Sequence, residues 1–170
     1  MNEINLEQIE NIFFIGIAGD GMSAIAQYLA GSGIRIAGSD RQFRTDSKIQ
    51  RQVQLENEGI QCFPQDCSGI TKLIDLVVIS TAIEPTVPEY KKAVDLNIPV
   101  IMRSDLLAEI CNTKKTIAVA GTSGKSTVTA MIYHIFDKNG KNPSLITGAG
   151  LTDIQKSGKI GNAVFGKGEY

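Results

Sequence analysis

The chain has 170 residues, with 17 Lys+Arg against 18 Asp+Glu and a formal charge of −1. That balance argues against a nucleic-acid-binding domain, which carries a basic excess or stripe. With 42% hydrophobic and 21% charged residues it equally argues against a disordered acidic tail. A mean hydropathy of −0.00 fits a soluble globular chain, and no run approaches the ~18 apolar residues of a membrane span. The N-terminus, MNEINLEQIENIFF, lacks the basic region and small-residue cleavage site of a secretory signal. Cys62, Cys67 and Cys111 are too few and too irregular for a disulfide framework or a four-ligand zinc site. The expectation is a cytoplasmic protein with free thiols.

Glycine accounts for 17 of the 170 residues, a share above the usual ~7%. Several glycines follow directly on apolar β-branched runs, where the close approach of a ligand to the backbone would need them. The first such run is 12–17, a continuous apolar stretch of the kind buried on both faces of a parallel sheet. It ends in Gly16-Ile17-Ala18-Gly19-Asp20-Gly21, and a helical pattern over 22–30 then stops at Gly31-Ser32-Gly33. Strands are predicted at 34–37, closing in Gly38-Ser39-Asp40, at 60–63, at 76–79, ending in Ser80-Thr81-Ala82-Ile83, and at 98–101. Helices fall between them at 46–58 and 88–96, the latter with proline near its start. A further helix at 104–111 has Ser104 as its N-cap. Polar residues 112–115 interrupt the pattern and mark a boundary. Beyond it a strand at 116–120, a loop at 121–126 and a helix at 127–138 restart the alternation. Strands follow at 144–147 and 162–165, with a polar, glycine-rich 148–161 between them. Such a succession predicts an α/β fold: a Rossmann-like open parallel sheet over 1–112, then the start of a second α/β unit over 113–170 that opens on a P-loop-like strand, loop and helix.

Two glycine loops carry the chemistry. The first reads G-x-A-x-x-G between strand and helix, and Asp40 lies 19 residues past Gly21 at the end of the second strand. There the helix N-terminus offers unpaired N–H groups to a phosphate, and the pattern points to a nucleotide or nucleotide-sugar. Asp40 reads either as a ribose-hydroxyl acceptor or as an ordinary turn residue. The second loop is Ala120-Gly121-Thr122-Ser123-Gly124-Lys125-Ser126-Thr127. It keeps the G-K-S core of a P-loop, although the usual first glycine falls at Val119. Gly121 and Gly124 let backbone N–H groups converge on phosphate oxygens, Lys125 brings a compact charge, and the Ser126 hydroxyl can ligate Mg²⁺. Two loops imply two substrates.

These residues resemble the Mur ligase family of peptidoglycan biosynthesis. The likeness runs from Phe14-Ile15 through Gly16 to Ser23, then Gly38-Ser39-Asp40 and Val77-Val78-Ile79-Ser80-Thr81-Ala82-Ile83. It continues through Ile98-Pro99-Val100-Ile101-Met102-Arg103, Leu106-Leu107-Ala108-Glu109 and the second loop. The resemblance implies a UDP-binding domain, a central ATPase domain and a C-terminal domain that receives the acceptor. It implies UDP-N-acetylmuramate around Gly16, Ala18, Gly19, Asp20, Gly21, Met22, Ser23, Ser39, Asp40, Ser80, Thr81, Ala82 and Ile83. ATP is implied at Gly121, Thr122, Ser123, Gly124, Lys125, Ser126 and Thr127, with Mg²⁺ on Ser126 and Lys125 as the catalytic cation. The implied reaction phosphorylates the muramyl carboxylate, and the amine of L-alanine (in a sibling branch, of a recycled tripeptide) attacks the acyl phosphate. Ser123 stands where the family commonly has His, Ser126 where it has Thr, and Ala18 where it has Gly. Arg103-Ser104-Asp105 replaces Arg-Ala-Glu. The family's acidic magnesium ligands, modified lysine and C-terminal domain are not in the sequence, so the expectation is a part of such a ligase that does not ligate by itself.

Two other readings use the same residues. An NAD-binding oxidoreductase domain explains the first loop and Asp40 but leaves Gly121 to Ser126 unused. A non-catalytic nucleotide-sugar-binding module explains both loops without a reaction. His134, the sole histidine, reads as a helix-face or core residue because no acid or nucleophile pairs with it. Cys62 and Cys67 lack the second pair a metal site needs. The charged stretch 41–58 reads as a solvated helix and loop or as a cover over the nucleotide.

Overall fold

The computed structural model describes residues 6–170; the first five, part of the acidic N-terminal stretch, lie outside the described residues. After a single 3₁₀ turn at Leu6–Gln8, strands and helices alternate. They are β1 (Asn11–Ile15), α1 (Asp20–Ser32), β2 (Arg35–Asp40), α2 (Gln50–Asn57), β3 (Gln61–Pro64) and β4 (Leu76–Ile79), followed by α3 (Pro88–Asp95), β5 (Val100–Met102) and α4 (Arg103–Asn112). The five strands form one sheet in the order β3-β2-β1-β4-β5. Every pairing is parallel, with Phe14 opposite both Gly38 and Val78. Because β1 pairs with β2 on one side and β4 on the other, the loops after β1 and β4 diverge and leave a crevice at their carboxyl ends.

Alternate residues of the central strands enter opposite layers, as the period of two requires. Ile12, Phe14, Ile36, Leu76 and Val78 face α1, α2 and α4 in one core. Phe13, Ile15, Ala37, Val77 and Ile79 pack with α3 on the other side. Phe13 and Phe14 are both completely buried, which is why β1 reads as an unbroken apolar run instead of an alternating one.

The remainder comprises α5 (Lys125–Lys138), β6 (Leu145–Ile146), a short α6 (Thr152–Gln155) and β7 (Ala163–Val164). β6 and β7 form an antiparallel pair that lies against α1, where the rings of Tyr28 and Phe165 meet edge to face at 5.4 Å.

Two expectations need correction. Residues 116–120 form no strand and belong to no sheet among the described residues. Lys115 N–H bonds to Glu169 O at 2.9 Å, yet the residues after it find no strand beside them, and Ile117 is 49% exposed. Ser104 is not an N-cap: β5 runs straight into α4, so Met102 takes that position and caps without a side chain. Within the polar, glycine-rich 148–161 stretch the short α6 forms.

Candidate functional site

The first loop turns at Gly16, whose φ of +82° a residue with a side chain adopts only under strain. Gly16 N–H and Ile17 N–H both donate to Ser39 O, at 2.8 and 3.0 Å. Ala18 N–H donates to Asp40 Oδ2 at 3.1 Å, and Gln42 N–H to Asp40 Oδ1 at 3.0 Å. The last residues of β2 therefore hold the loop in place, and both carboxylate oxygens of Asp40 already have backbone donors. The geometry gives Asp40 the job of fixing the loop, the turn-residue reading extended across to a neighbouring strand.

α1 then begins at Asp20, with Gly19 as a side-chain-less N-cap. Its first intrahelical bond is Ser23 N–H to Gly19 O at 2.8 Å, so the amides of Asp20, Gly21 and Met22 precede the ladder and carry the positive end of the helix dipole. Gly19 and Asp20 are exposed and Gly21 is half-buried. Met22 and Ser23, by contrast, turn their side chains into the core, 4% and 0% exposed. Ser23 Oγ donates to Asp20 O at 3.1 Å and accepts from Arg51 at 3.0 Å, so its hydroxyl serves the helix start.

Arg103 is the residue that motif reading left out of the site. It follows β5 at the same carboxyl edge as Gly16, Asp40 and Ser80. A Cβ on Gly21 would stand 3.0 Å from Arg103 Nη1 and 3.2 Å from its Cζ. None of the ion pairs among the described residues uses Arg103. A half-buried guanidinium lying over a helix N-terminus with no carboxylate partner is suited to a phosphate, which it grips with two parallel donors. The available signal was its position directly after the fifth strand.

Ser80, Thr81, Ala82 and Ile83 form a turn after β4, closed by Ile83 N–H to Ser80 O at 3.0 Å. Ile83 Cδ1 lies 3.6 Å from where a Gly16 Cβ would be. Thus the ends of β1, β2, β4 and β5 bring Gly16, Ala18 to Gly21 and Ser80 to Ile83 to one edge of the sheet, whereas the side chains of Met22, Ser23, Ser39 and Asp40 are buried.

The second loop lies elsewhere, ahead of α5. Gly124 caps that helix at φ +76°, and the first bond is Val128 N–H to Gly124 O at 2.9 Å. Gly121 to Lys125 are exposed and Ser126 half-buried. Lys125 Nζ folds back onto the loop, donating to Gly121 O at 2.7 Å and Thr122 O at 3.3 Å. Lys125, Ser126 and Thr129 border a cavity of about 410 Å³, lined further by Thr116 to Val119 and by Leu145 to Gly148. The set suits a nucleoside triphosphate: helix-start amides, one exposed ammonium and one hydroxyl. No group of three or more potential metal-ligating His, Cys, Asp or Glu occurs among the described residues. The Ser126 hydroxyl is the group on this loop that could ligate a Mg²⁺ ion.

The cysteines are free. Burial, together with nearby Glu56, pushes the Cys62 thiol up to about 12, which makes it inert at neutral pH. His134 sits on α5 beside the ring of Tyr133. Within 41–58, Arg51 leaves the solvated face of α2 and pairs with Asp20 at 2.8 Å. No helix among the described residues is long and apolar enough to cross a membrane.

Comparison with known proteins gives a consistent picture. A sequence model described as Mur ligase family, catalytic domain, matches residues 11–115. The UDP-N-acetylmuramate–L-alanine ligase of Dictyoglomus turgidum is 40% identical over 161 residues, covering 95% of this chain and 32% of that protein. Its counterpart from Buchnera aphidicola is 41% identical over 162 residues, covering 95% of this chain and 32% of that protein. The crystal structure of the UDP-N-acetylmuramate-alanine ligase of Thermotoga maritima superposes with a TM-score of 0.80 at 30% identity, covering 94% of this chain and 35% of that one. The chain spans about a third of the length of the relatives it matches.

Proposed function

Since the chain belongs to the Mur ligase family, we propose that it binds UDP-N-acetylmuramate and ATP as part of a ligase that joins L-alanine to the muramyl carboxylate in the cytoplasm. Residues 1–112 form the nucleotide-sugar unit in this reading and 113–170 belong to the ATP-binding unit. The observation that carries it is the Arg103 guanidinium over Gly21, at the start of α1, which makes no ion pair among the described residues.

In this reading the diphosphate lies against the amides of Asp20, Gly21 and Met22 and is clamped by Arg103. Gly16, Ala18 and Gly19 shape its bed, Ser39 and Asp40 hold that bed rigid, and Ser80 to Ile83 border the nucleoside. On the second loop, the backbone of Gly121 to Thr127 cradles the ATP phosphates. Lys125 releases the loop carbonyls and turns to the β- and γ-phosphates, where its charge opposes the charge that develops in transfer. When bound at Ser126, Mg²⁺ supplies Lewis-acid neutralisation of the same phosphates. Ser123, in the place of the family's common His, offers a hydroxyl at the loop tip.

Titration calorimetry of the 170-residue chain tests this, with UDP-N-acetylmuramate, ATP–Mg²⁺ and NAD run separately. Saturable binding of the UDP-sugar without NAD is the expected result. NAD binding alone would overturn the reading in favour of a dehydrogenase domain.

A further inference from the structure

Asn162 stands at the start of β7, almost completely buried at 1% exposure, and reaches α1 across more than 130 residues of chain. Its Nδ2 donates to Asp20 O at 2.9 Å and to Ser23 Oγ at 3.2 Å. Its Oδ1 accepts from Gln27 Nε2 at 2.8 Å, and Gln27, itself 5% exposed, is fixed by a second bond to Ser23 O at 2.8 Å. One acceptor and two donors all have partners, so the amide has a single satisfied orientation. From the other side Arg51 of α2 grips Asp20 and Ser23. The group clamped is the first turn of α1, whose amides form the phosphate-binding face described above. Asn162 belongs to the segment that follows the second loop. Its neighbours Gly150, Gln155 and Ile160 line a polar cleft of about 300 Å³ against Asp20 and Arg51.

We propose that Asn162 is a positioning residue that couples the first nucleotide loop to the segment 148–165: occupancy of the α1 N-terminus fixes Asp20 and Ser23, and through Asn162 stiffens 148–165. The inference rests on the reading of the α1 N-terminus as the UDP-sugar diphosphate site. The coupling is reciprocal, so order imposed on 148–165 in turn favours occupancy of the α1 N-terminus. A buried amide with every bond made transmits such a change better than an apolar contact, since displacing it leaves several polar groups without partners.

The test is hydrogen exchange by mass spectrometry on the 170-residue chain, with and without UDP-N-acetylmuramate at a concentration that calorimetry shows to be saturating. The expected result is ligand-dependent protection both at the first loop and, several-fold in rate, over 148–165. Asn162→Ala should still bind the UDP-sugar and protect the first loop, but lose the protection over 148–165. Gln27→Met, which keeps bulk and removes the amide that orients Asn162, should lose most of it too and serves if Asn162→Ala does not fold. A purely structural Asn162 would lower the melting temperature and leave the ligand-dependent protection intact, which overturns the inference. Binding without protection over 148–165 in the unmodified chain overturns it as well, while leaving the diphosphate site standing. No saturable binding at all overturns both.

Discussion

Asp40, at the end of β2, and Ala18, in the loop after β1, are joined by a 3.1 Å hydrogen bond from the Ala18 amide to the Asp40 carboxylate. With Gln42 N–H on the second oxygen and only 6% exposure, the carboxylate is the main fixture of the glycine loop. Asp40→Ala strips both amides of their partner, at a cost of about 1–3 kcal/mol. A domain of this size should then melt roughly 2–10 °C lower. Asp40→Asn keeps an acceptor for one amide and should fall between. Thermal unfolding by circular dichroism measures both, and an unchanged melting temperature for Asp40→Ala would remove Asp40 from this role.

The guanidinium of Arg103 makes no ion pair among the described residues, so little stability depends on its charge. Arg103→Ala should unfold near the parent temperature while losing charge-assisted bonds worth about 1.5–3 kcal/mol of phosphate affinity. That is roughly 10- to 150-fold in Kd for UDP-N-acetylmuramate. Gly21→Val places methyl groups where the guanidinium lies and should weaken binding with the fold intact. Calorimetric titration of the two variants decides the matter; parental affinity in both would exclude this edge as the diphosphate site.

Five parallel strands were legible because β1 and β4 are buried on both faces, which writes an unbroken apolar run into the sequence. The order β3-β2-β1-β4-β5, with β1 between β2 and β4, places the crevice. Both loops stood out because glycine and lysine at fixed offsets serve phosphate binding directly. Arg103 was missed because one arginine after a strand has no local pattern, and its meaning comes from Gly21, 82 positions earlier. Asn162 escaped for the same reason, and so did the structural use of the Ser23 hydroxyl, since their partners are distant in sequence. The strand expected at 116–120 has the right composition, but a strand exists only beside another, and composition does not report neighbours.

Glu89, in the first turn of α3, is completely buried. Ser39 Oγ donates to its Oε2 at 2.9 Å, and its Oε1 has no bond. Burial raises its pKa above the ordinary 4.5, outweighing the Ser39 bond. The neutral carboxyl therefore contributes fully below pH 4.5, and that contribution is lost as the pH climbs through the raised folded value. Glu89→Gln is uncharged throughout and keeps an acceptor for Ser39. It should melt a few degrees above the parent at alkaline pH, with the difference closing towards the carboxyl's ordinary range. Paired melting curves across that interval test it; a constant difference at every pH would mean that ionisation of Glu89 is not the cause.

Lys125 is exposed and bonds only to carbonyls of its own loop, Gly121 O and Thr122 O. Removing it leaves no buried group unpartnered, so Lys125→Ala should fold and melt like the parent. What it loses is the exposed ammonium at the start of α5. Charge-assisted bonds of about 1.5–3 kcal/mol correspond to a roughly 10- to 150-fold weaker Kd for ATP–Mg²⁺. UDP-N-acetylmuramate binds at the other crevice in the proposed scheme, so its affinity should be unchanged. Separate titrations of the two ligands against Lys125→Ala distinguish a nucleotide lysine from a structural one. Equal weakening of both would indicate a distorted fold, and parental ATP affinity would exclude Lys125 from the phosphate site.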